Sequence, residues 1–241
     1  MNIKIKADLH THTIASGHAY SSVDELARSA SKKGLKLIAI TNHGPNMPGG
    51  PHEFHFGNMK IIPDTLYGVR ILSGIEANIL NDGSLDLAEN RLKKLDFVAA
   101  GIHSDAGYDL NNKKDNTKAI IEAIKKPYVD MITHPANAAF EVDIEKIIKA
   151  AVENKVILEA NASSFYDFKL GRRGDHDLSV KLCKYAKRYG VPISLNSDAH
   201  FHTEVGDITF LNDVISKANL REEDIINSSA AKVLEFLNIK N

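Results

Sequence analysis

Two pairs of metal-ligating residue types stand at opposite ends of this chain. His10 and His12 close the first apolar run, in Asp8-Leu9-His10-Thr11-His12, and Asp198 and His200 follow the last, in Asn196-Ser197-Asp198-Ala199-His200. Side chains two apart on an extended strand point to the same face, so each pair can aim at one spot. The pairs can meet only if the first and last strands lie close together. That requires a sheet that closes, or nearly closes, on itself.

The intervening sequence supplies such a sheet. Apolar stretches at 3–9, 37–41, 69–77, 97–102, 129–133, 156–160 and 193–196 read as seven strands. Between most of them lie amphipathic segments at 22–33, 117–125, 143–154 and 178–189, apolar at three- and four-residue spacing, and 228–237 reads as a final helix. Strand alternating with helix implies parallel strands joined by right-handed crossovers, hence an α/β barrel. A chain of 241 residues is long enough for one such domain spanning 1–241.

Local signals agree. Ser22 and Glu25 have capping-box spacing at the first helix, and Gly34 and Gly190 follow helices where a left-handed residue closes the last turn. The segment 44–57, with Pro45, Pro48, Gly49, Gly50 and Pro51, is too rich in breakers for regular structure. It reads either as a lid over the site or as an ordinary surface loop.

Charge excludes some partners. A formal net charge of -1 gives no general field for nucleic acid or an anionic membrane, and Lys113-Lys114 with Asp115 reads as a solvated face. Met1 leads into no apolar leader and no run reaches transmembrane length, so a cytoplasmic protein is expected. The single cysteine, Cys183, lies among Leu178, Leu182 and Ala186 at helical spacing, as a buried hydrophobe would. Thiolate ligation and internal disulfides are thereby excluded.

The chemistry gathers at strand ends. His43, Glu76, His103 and His134 each end or follow an apolar run, and with His10, His12, His18, Asp198 and His200 they make nine candidate ligands. One histidine at a strand end is ordinarily a satisfied polar group. Seven repeated along the chain are not explained by packing, and the C-terminal mouth of a parallel barrel is where functional residues collect. Imidazole and carboxylate without thiolate suit zinc foremost, with manganese or iron as alternatives, whereas magnesium prefers oxygen. Nine ligands at three or more per ion imply two or three ions. Three divalent ions bring about +6, offset only by Glu76 and Asp198, which leaves about +4 and favours an anionic substrate, phosphate above all. Such ions polarise phosphoryl oxygens, generate a bound hydroxide nucleophile and stabilise the leaving oxygen. Glu76 and Asp198, the two carboxylates of the set, are also the catalytic candidates.

These motifs resemble the PHP family, named for polymerases and histidinol phosphatases. The likeness is carried by Asp8-Leu9-His10-Thr11-His12, His18, Thr41-Asn42-His43-Gly44, Gly74-Ile75-Glu76, His103, His134-Pro135 and Ser197-Asp198-Ala199-His200. Within it, His18-Ala19-Tyr20-Ser21, Pro51-His52-Glu53-Phe54-His55-Phe56 and Asn161-Ala162-Ser163-Ser164-Phe165 resemble the small YcdX-like phosphatases. The resemblance implies a distorted seven-stranded (β/α)7 barrel with parallel strands and a trinuclear site. Transferred to this chain, His10, His12, Glu76 and Asp198 would hold the first ion, His18, His43 and His200 the second, and Glu76, His103 and His134 the third, with Glu76 bridging. Asn42 departs from the pattern, where aspartate is usual, which bears on tuning more than on ligation.

Other residues carry weaker readings. Asp8 is read as orienting an imidazole or as structural. His55, Asn161 and Arg172 are candidate substrate contacts, Ser163 and Arg173 stand near the last two, and His52, His176 and His202 read as surface residues. The expected function is metal-dependent hydrolysis of small phosphate monoesters by a cytoplasmic enzyme with three divalent ions, without nucleic-acid or membrane partners and with homo-oligomerisation left open. The alternatives are a histidinol-phosphate phosphatase, an amidohydrolase-type metal hydrolase and a non-catalytic metal-binding regulatory module. An amidohydrolase also carries a histidine pair after its first strand, but commonly uses a strand-end lysine as bridge, where this chain has Glu76. Regulatory versions usually belong to much longer chains and have lost ligands.

Overall fold

The computed structural model describes residues 3–165 and 174–240. Seven parallel strands follow one another in space almost in chain order: β1 (Ala7–Thr11), β2 (Leu37–Ile40), β4 (Val69–Asn78), β5 (Phe97–Gly101), β6 (Met131–Ile132), β7 (Ile157–Asn161) and β8 (Ile193–Asn196). A two-residue strand, β3 (Thr65–Leu66), pairs antiparallel with β4 and was not expected, because it is too short to show a period. The sheet nearly closes into the expected barrel. Among the described residues, the backbone pairing that joins β1 to the end of the sheet is one bridge, Thr11 to Ala199 just beyond β8, with the His12 N–H donating to the Ala199 carbonyl at 2.8 Å, and the Leu9 N–H donates to Asn196 Oδ1 of β8 at 3.1 Å. Lower down, Asn227 fills the gap, donating from Nδ2 to the carbonyls of Ala7 (2.8 Å) and Leu195 (2.7 Å).

The helices are α1 (Val23–Lys32), α2 (Glu53–Asn58), α3 (Glu89–Leu92), α4 (Lys113–Ile124), α5 (Ile144–Asn154), α6 (His176–Tyr189), α7 (Asn212–Lys217) and α8 (Ala230–Phe236). The capping box at α1 is present: Ser22 Oγ accepts from the Glu25 N–H, and the Glu25 carboxylate accepts from the Ser22 N–H. Such a cap stabilises a helix by about 1 kcal/mol. Two expectations need correction. The 44–57 segment is not wholly irregular: its breakers end at Pro51, after which His52 caps α2 by accepting from the Phe54 N–H. The first strand runs over Ala7–Thr11 rather than 3–9, because residues 3–6 lie outside the ladder although Ile3 and Ile5 are buried.

Alternation on the strands separates two cores. Ile38, Ile40, Ile71, Ile75, Val98, Ile132 and Leu158 belong to the large core that includes the helices. Ala7, Leu9, Leu37, Ala39, Leu72, Phe97, Ala99, Met131 and Ile157 form a second core together with Val233 and Leu234 of α8, which plugs the barrel floor. Each fully buried large side chain here contributes roughly 1.5–3 kcal/mol of transfer free energy. Further along the same faces, Leu72 gives way through Gly74 to Glu76, Met131 to Thr133, and Ile157 to Glu159. The barrel interior thus changes from apolar to polar on climbing toward the C-terminal mouth. Cys183 is fully buried, as expected. No helix among the described residues is long and apolar enough to cross a membrane.

Candidate metal centre

A register shift between Asp8 and Thr11 of β1 breaks strict alternation, so His10 and His12 both reach the interior above Leu9. They meet Glu76 there. His10 Nε2 lies 3.2 Å and His12 Nε2 3.5 Å from Glu76 Oε2, and His43 Nδ1 is 2.9 Å from the same oxygen. The other oxygen, Oε1, faces His134 Nε2 at 2.9 Å and His103 Nε2 at 3.4 Å. One carboxylate therefore separates two groups of imidazoles. Asp198 Oδ1 completes the inner group, 3.1 Å from His12 Nε2 and 3.4 Å from His10 Nε2 and His200 Nδ1. The exposed His18 stands at the rim, its ring centroid 5.0 Å from those of His43 and His200.

The polar atoms in this cluster fit a metal. His10 Nε2, His12 Nε2, His43 Nδ1 and Glu76 Oε2 are buried and make no hydrogen bond. Unpaired buried polar groups are costly, whereas converging lone pairs are what a cation satisfies. Donor atoms of His12, His43 and His200, of His10, His12 and Glu76, and of His43, Glu76 and His103 each lie close enough together for one ion. His12 thus also approaches the group to which the resemblance assigned His18.

Electrostatics without an ion show the same crowding. Burial disfavours charge on Glu76, yet the surrounding His10, His103 and His43 hold its pKa well below the usual range. Burial also opposes charge on His10, but Glu159, Glu76 and Asp198 outweigh it and hold its pKa well above normal. His12 falls well below normal through burial and the neighbouring His200 and His43, and burial lowers His43 to about 4. Neutral imidazole is the metal-ligating form.

Backbone geometry is bent to aim these groups. His134 and Asp198 have positive φ, 32° and 54°. Non-glycine residues held there cost of order 1–3 kcal/mol. Thr133 Oγ1 donates to Glu76 Oε1 at 2.8 Å, and only glycine fits at 101, where a Cβ would collide with Thr133 Oγ1 and lie 2.8 Å from His134 Cε1.

Behind the cluster lies a set of orienting groups. His103 Nδ1 bonds Asn78 Oδ1 at 2.8 Å, and His12 Nδ1 bonds Ser16 Oγ at 3.1 Å. Asn42 Oδ1 accepts from that Ser16 hydroxyl and from Thr13, which places it two bonds from a ligand candidate. Asp8 ties β1 to the segment after β8 by accepting from the Ser197 hydroxyl and the Gly206 N–H. Glu159, which the sequence reading passed over inside an apolar run, accepts from His10 Nδ1 at 2.8 Å. A lone carboxylate in a strand buried on both faces was the available signal.

The cluster floors a cavity of about 750 Å³ whose walls include Met47, Pro48, Ile102, Ser104, Asp105 and Phe140. Of the proposed substrate contacts, His55 is not in its lining and lies 3.2 Å from Asn42 Nδ2. Asn161 is buried, with Nδ2 bonded to Glu159 and Asp198 and Oδ1 accepting from the Ser164 N–H. Arg172 and Arg173 lie outside the described residues. His52 and His176 are exposed, while His202 is partly buried against Ser21.

The sequence pattern of the PHP domain matches residues 8–163. The chain belongs to the PHP family. Among its relatives, a probable phosphatase of Caldanaerobacter subterraneus subsp. tengcongensis is 45% identical over 241 residues, covering 100% of this chain and 94% of that protein. A probable phosphatase of Proteus mirabilis is 44% identical, covering 95% and 93%. In fold, the PHP chain is similar to the crystal structure of histidinol phosphate phosphatase from Lactococcus lactis subsp. lactis in complex with zinc, L-histidinol and phosphate, with TM-score 0.61, 16% identity and coverage of 89% and 92%. A Xaa-Pro dipeptidase is also similar, with TM-score 0.58, 12% identity and coverage of 98% and 75%. The barrel alone therefore does not select the chemistry.

Proposed function

We propose that the protein is a metal-dependent phosphatase acting on small phosphate monoesters, with residues 1–241 forming one hydrolase domain. The carrying observation is the convergence of His10 Nε2, His12 Nε2, His43 Nδ1 and Glu76 Oε2, buried and without hydrogen bonds, beneath an open cavity. The names of the curated relatives support phosphatase chemistry over the dipeptidase chemistry of a similar fold. His10, His12, Glu76 and Asp198 would hold one ion, His18, His43 and His200 a second, and His103 and His134 with Glu76 a third. Zinc is favoured, with manganese or iron as alternatives, because the donors are nitrogen and oxygen only. Bound divalent ions supply Lewis acidity toward phosphoryl oxygens and lower the pKa of a water to nucleophilic range.

The chain's own residues set the rest. Glu76 and Asp198 fix the spacing of the ion-binding groups, and the depth of the cluster holds the phosphoryl group at the floor of the cavity. Ile102 and Phe140, with the polar Ser104, Asp105 and Asn137, line the same cavity and would face the leaving group. Chelator treatment tests the reading. Hydrolysis of para-nitrophenyl phosphate should disappear on dialysis against chelator and return with zinc, manganese or iron. Full turnover in the stripped protein would contradict it.

A further inference from the structure

One buried carboxylate joins three parts of the cluster that come from different strands. Glu159, on β7, is 1% exposed and receives four donors. Its Oε1 accepts from His10 Nδ1 at 2.8 Å and from Asn196 Nδ2 at 2.9 Å. Its Oε2 accepts from the His134 backbone N–H at 2.8 Å and from Asn161 Nδ2 at 3.1 Å, and that same amide reaches Asp198 Oδ2 at 3.3 Å. The structure assigns Glu159 as a positioning residue that fixes the His10 imidazole and the bent backbone of His134 for metal binding.

Three observations support this. An ionised carboxylate only accepts, so the bond from His10 Nδ1 keeps a ring proton there, and the nitrogen left to give up its proton to a cation is Nε2, which faces Glu76 and Asp198. The rings of His12 and His103 are held by neutral groups, Ser16 and Asn78, so His10 is set apart by its charged partner. Finally, the positive φ of His134 is held where its N–H meets Glu159, so one side chain sets both a ring and a strained backbone. Glutamine cannot replace it. One of its terminal atoms is an NH2 group, which would face donors that the carboxylate now accepts from.

The inference rests on reading the cluster as metal-holding, and two measurements separate the two claims. Nitrogen-15 NMR of histidine-labelled wild-type protein, loaded with zinc, should show His10 protonated at Nδ1. A proton at Nε2 overturns the assignment whether or not any variant folds. Competition against a zinc chelator, run well below the melting temperature of the metal-free variant, should show that Glu159→Gln binds zinc 10- to 100-fold more weakly, with the His10 signals shifted. Zinc affinity within twofold of wild type also overturns it. Wild-type protein that takes up no zinc would sink the metal reading itself, and this inference with it.

Discussion

Replacing Glu76 with glutamine is the most informative single change. The Glu76 carboxylate presents Oε2 to His10, His12 and His43 and Oε1 to His103 and His134, with separations from 2.9 to 3.5 Å. A cation on either side therefore interacts with the same negative charge. Two unit charges about 4 Å apart at an effective dielectric near 20 attract by about 4 kcal/mol. That corresponds to roughly a thousandfold in affinity. The glutamine amide also turns an N–H donor toward imidazole lone pairs. Glu76→Gln should thus weaken two ions by about this factor and abolish most turnover, whereas His103→Ala should weaken one. Dialysis against buffered zinc, followed by elemental analysis, gives the ions retained per chain. Equal loss in the two variants would refute the bridging argument.

Two further substitutions probe the scaffold. Asp130, beside β6, is partly buried with the Val98 N–H on its carboxylate at 2.8 Å, and burial pushes its pKa up to about 6. Its protonated form is favoured by folding, so the associated stability is full below about pH 4 and is lost as pH rises through about 6; Asp130→Asn should gain on wild type by roughly 1–3 kcal/mol across that window in urea melts, and a constant difference would contradict this. Gly101→Ala should cost about 1–3 kcal/mol by overpacking and should weaken metal binding through His134, whereas unchanged stability and binding would show that the glycine is not needed for space.

Much of the candidate site was readable because the barrel repeats one rule: the candidate ligands follow the strands at the same mouth. His10, His12, His43, His103, His134 and Asp198 all follow it, and the pairing of β1 with the segment after β8 confirms that the chain ends must approach. What escaped depends on contacts distant in sequence. Glu159 looks like an interruption of an apolar strand until the fold brings His10 to it, 149 residues away. Asn227 similarly closes the gap between β1 and β8 from a segment with no motif. His55 reads as a candidate substrate contact in the sequence, but short α2 places it against Asn42 rather than in the cavity lining. The limits of β1 shifted because Ile3 and Ile5 are buried without pairing, and burial alone cannot distinguish a strand from an extended arm.

The class of bond hydrolysed distinguishes a phosphatase from the other hydrolases that share this barrel. The metal-replete protein should be compared on para-nitrophenyl phosphate, its bis-ester and a para-nitroanilide amide at equal concentration, with inorganic phosphate as inhibitor. Buried Glu159 lowers the cationic excess of a three-ion site from about +4 to about +3, which still favours a dianion over a monoanion. The monoester should be cleaved fastest, with competitive inhibition by phosphate. Efficient cleavage of the diester or amide with the monoester untouched would contradict the phosphomonoesterase assignment.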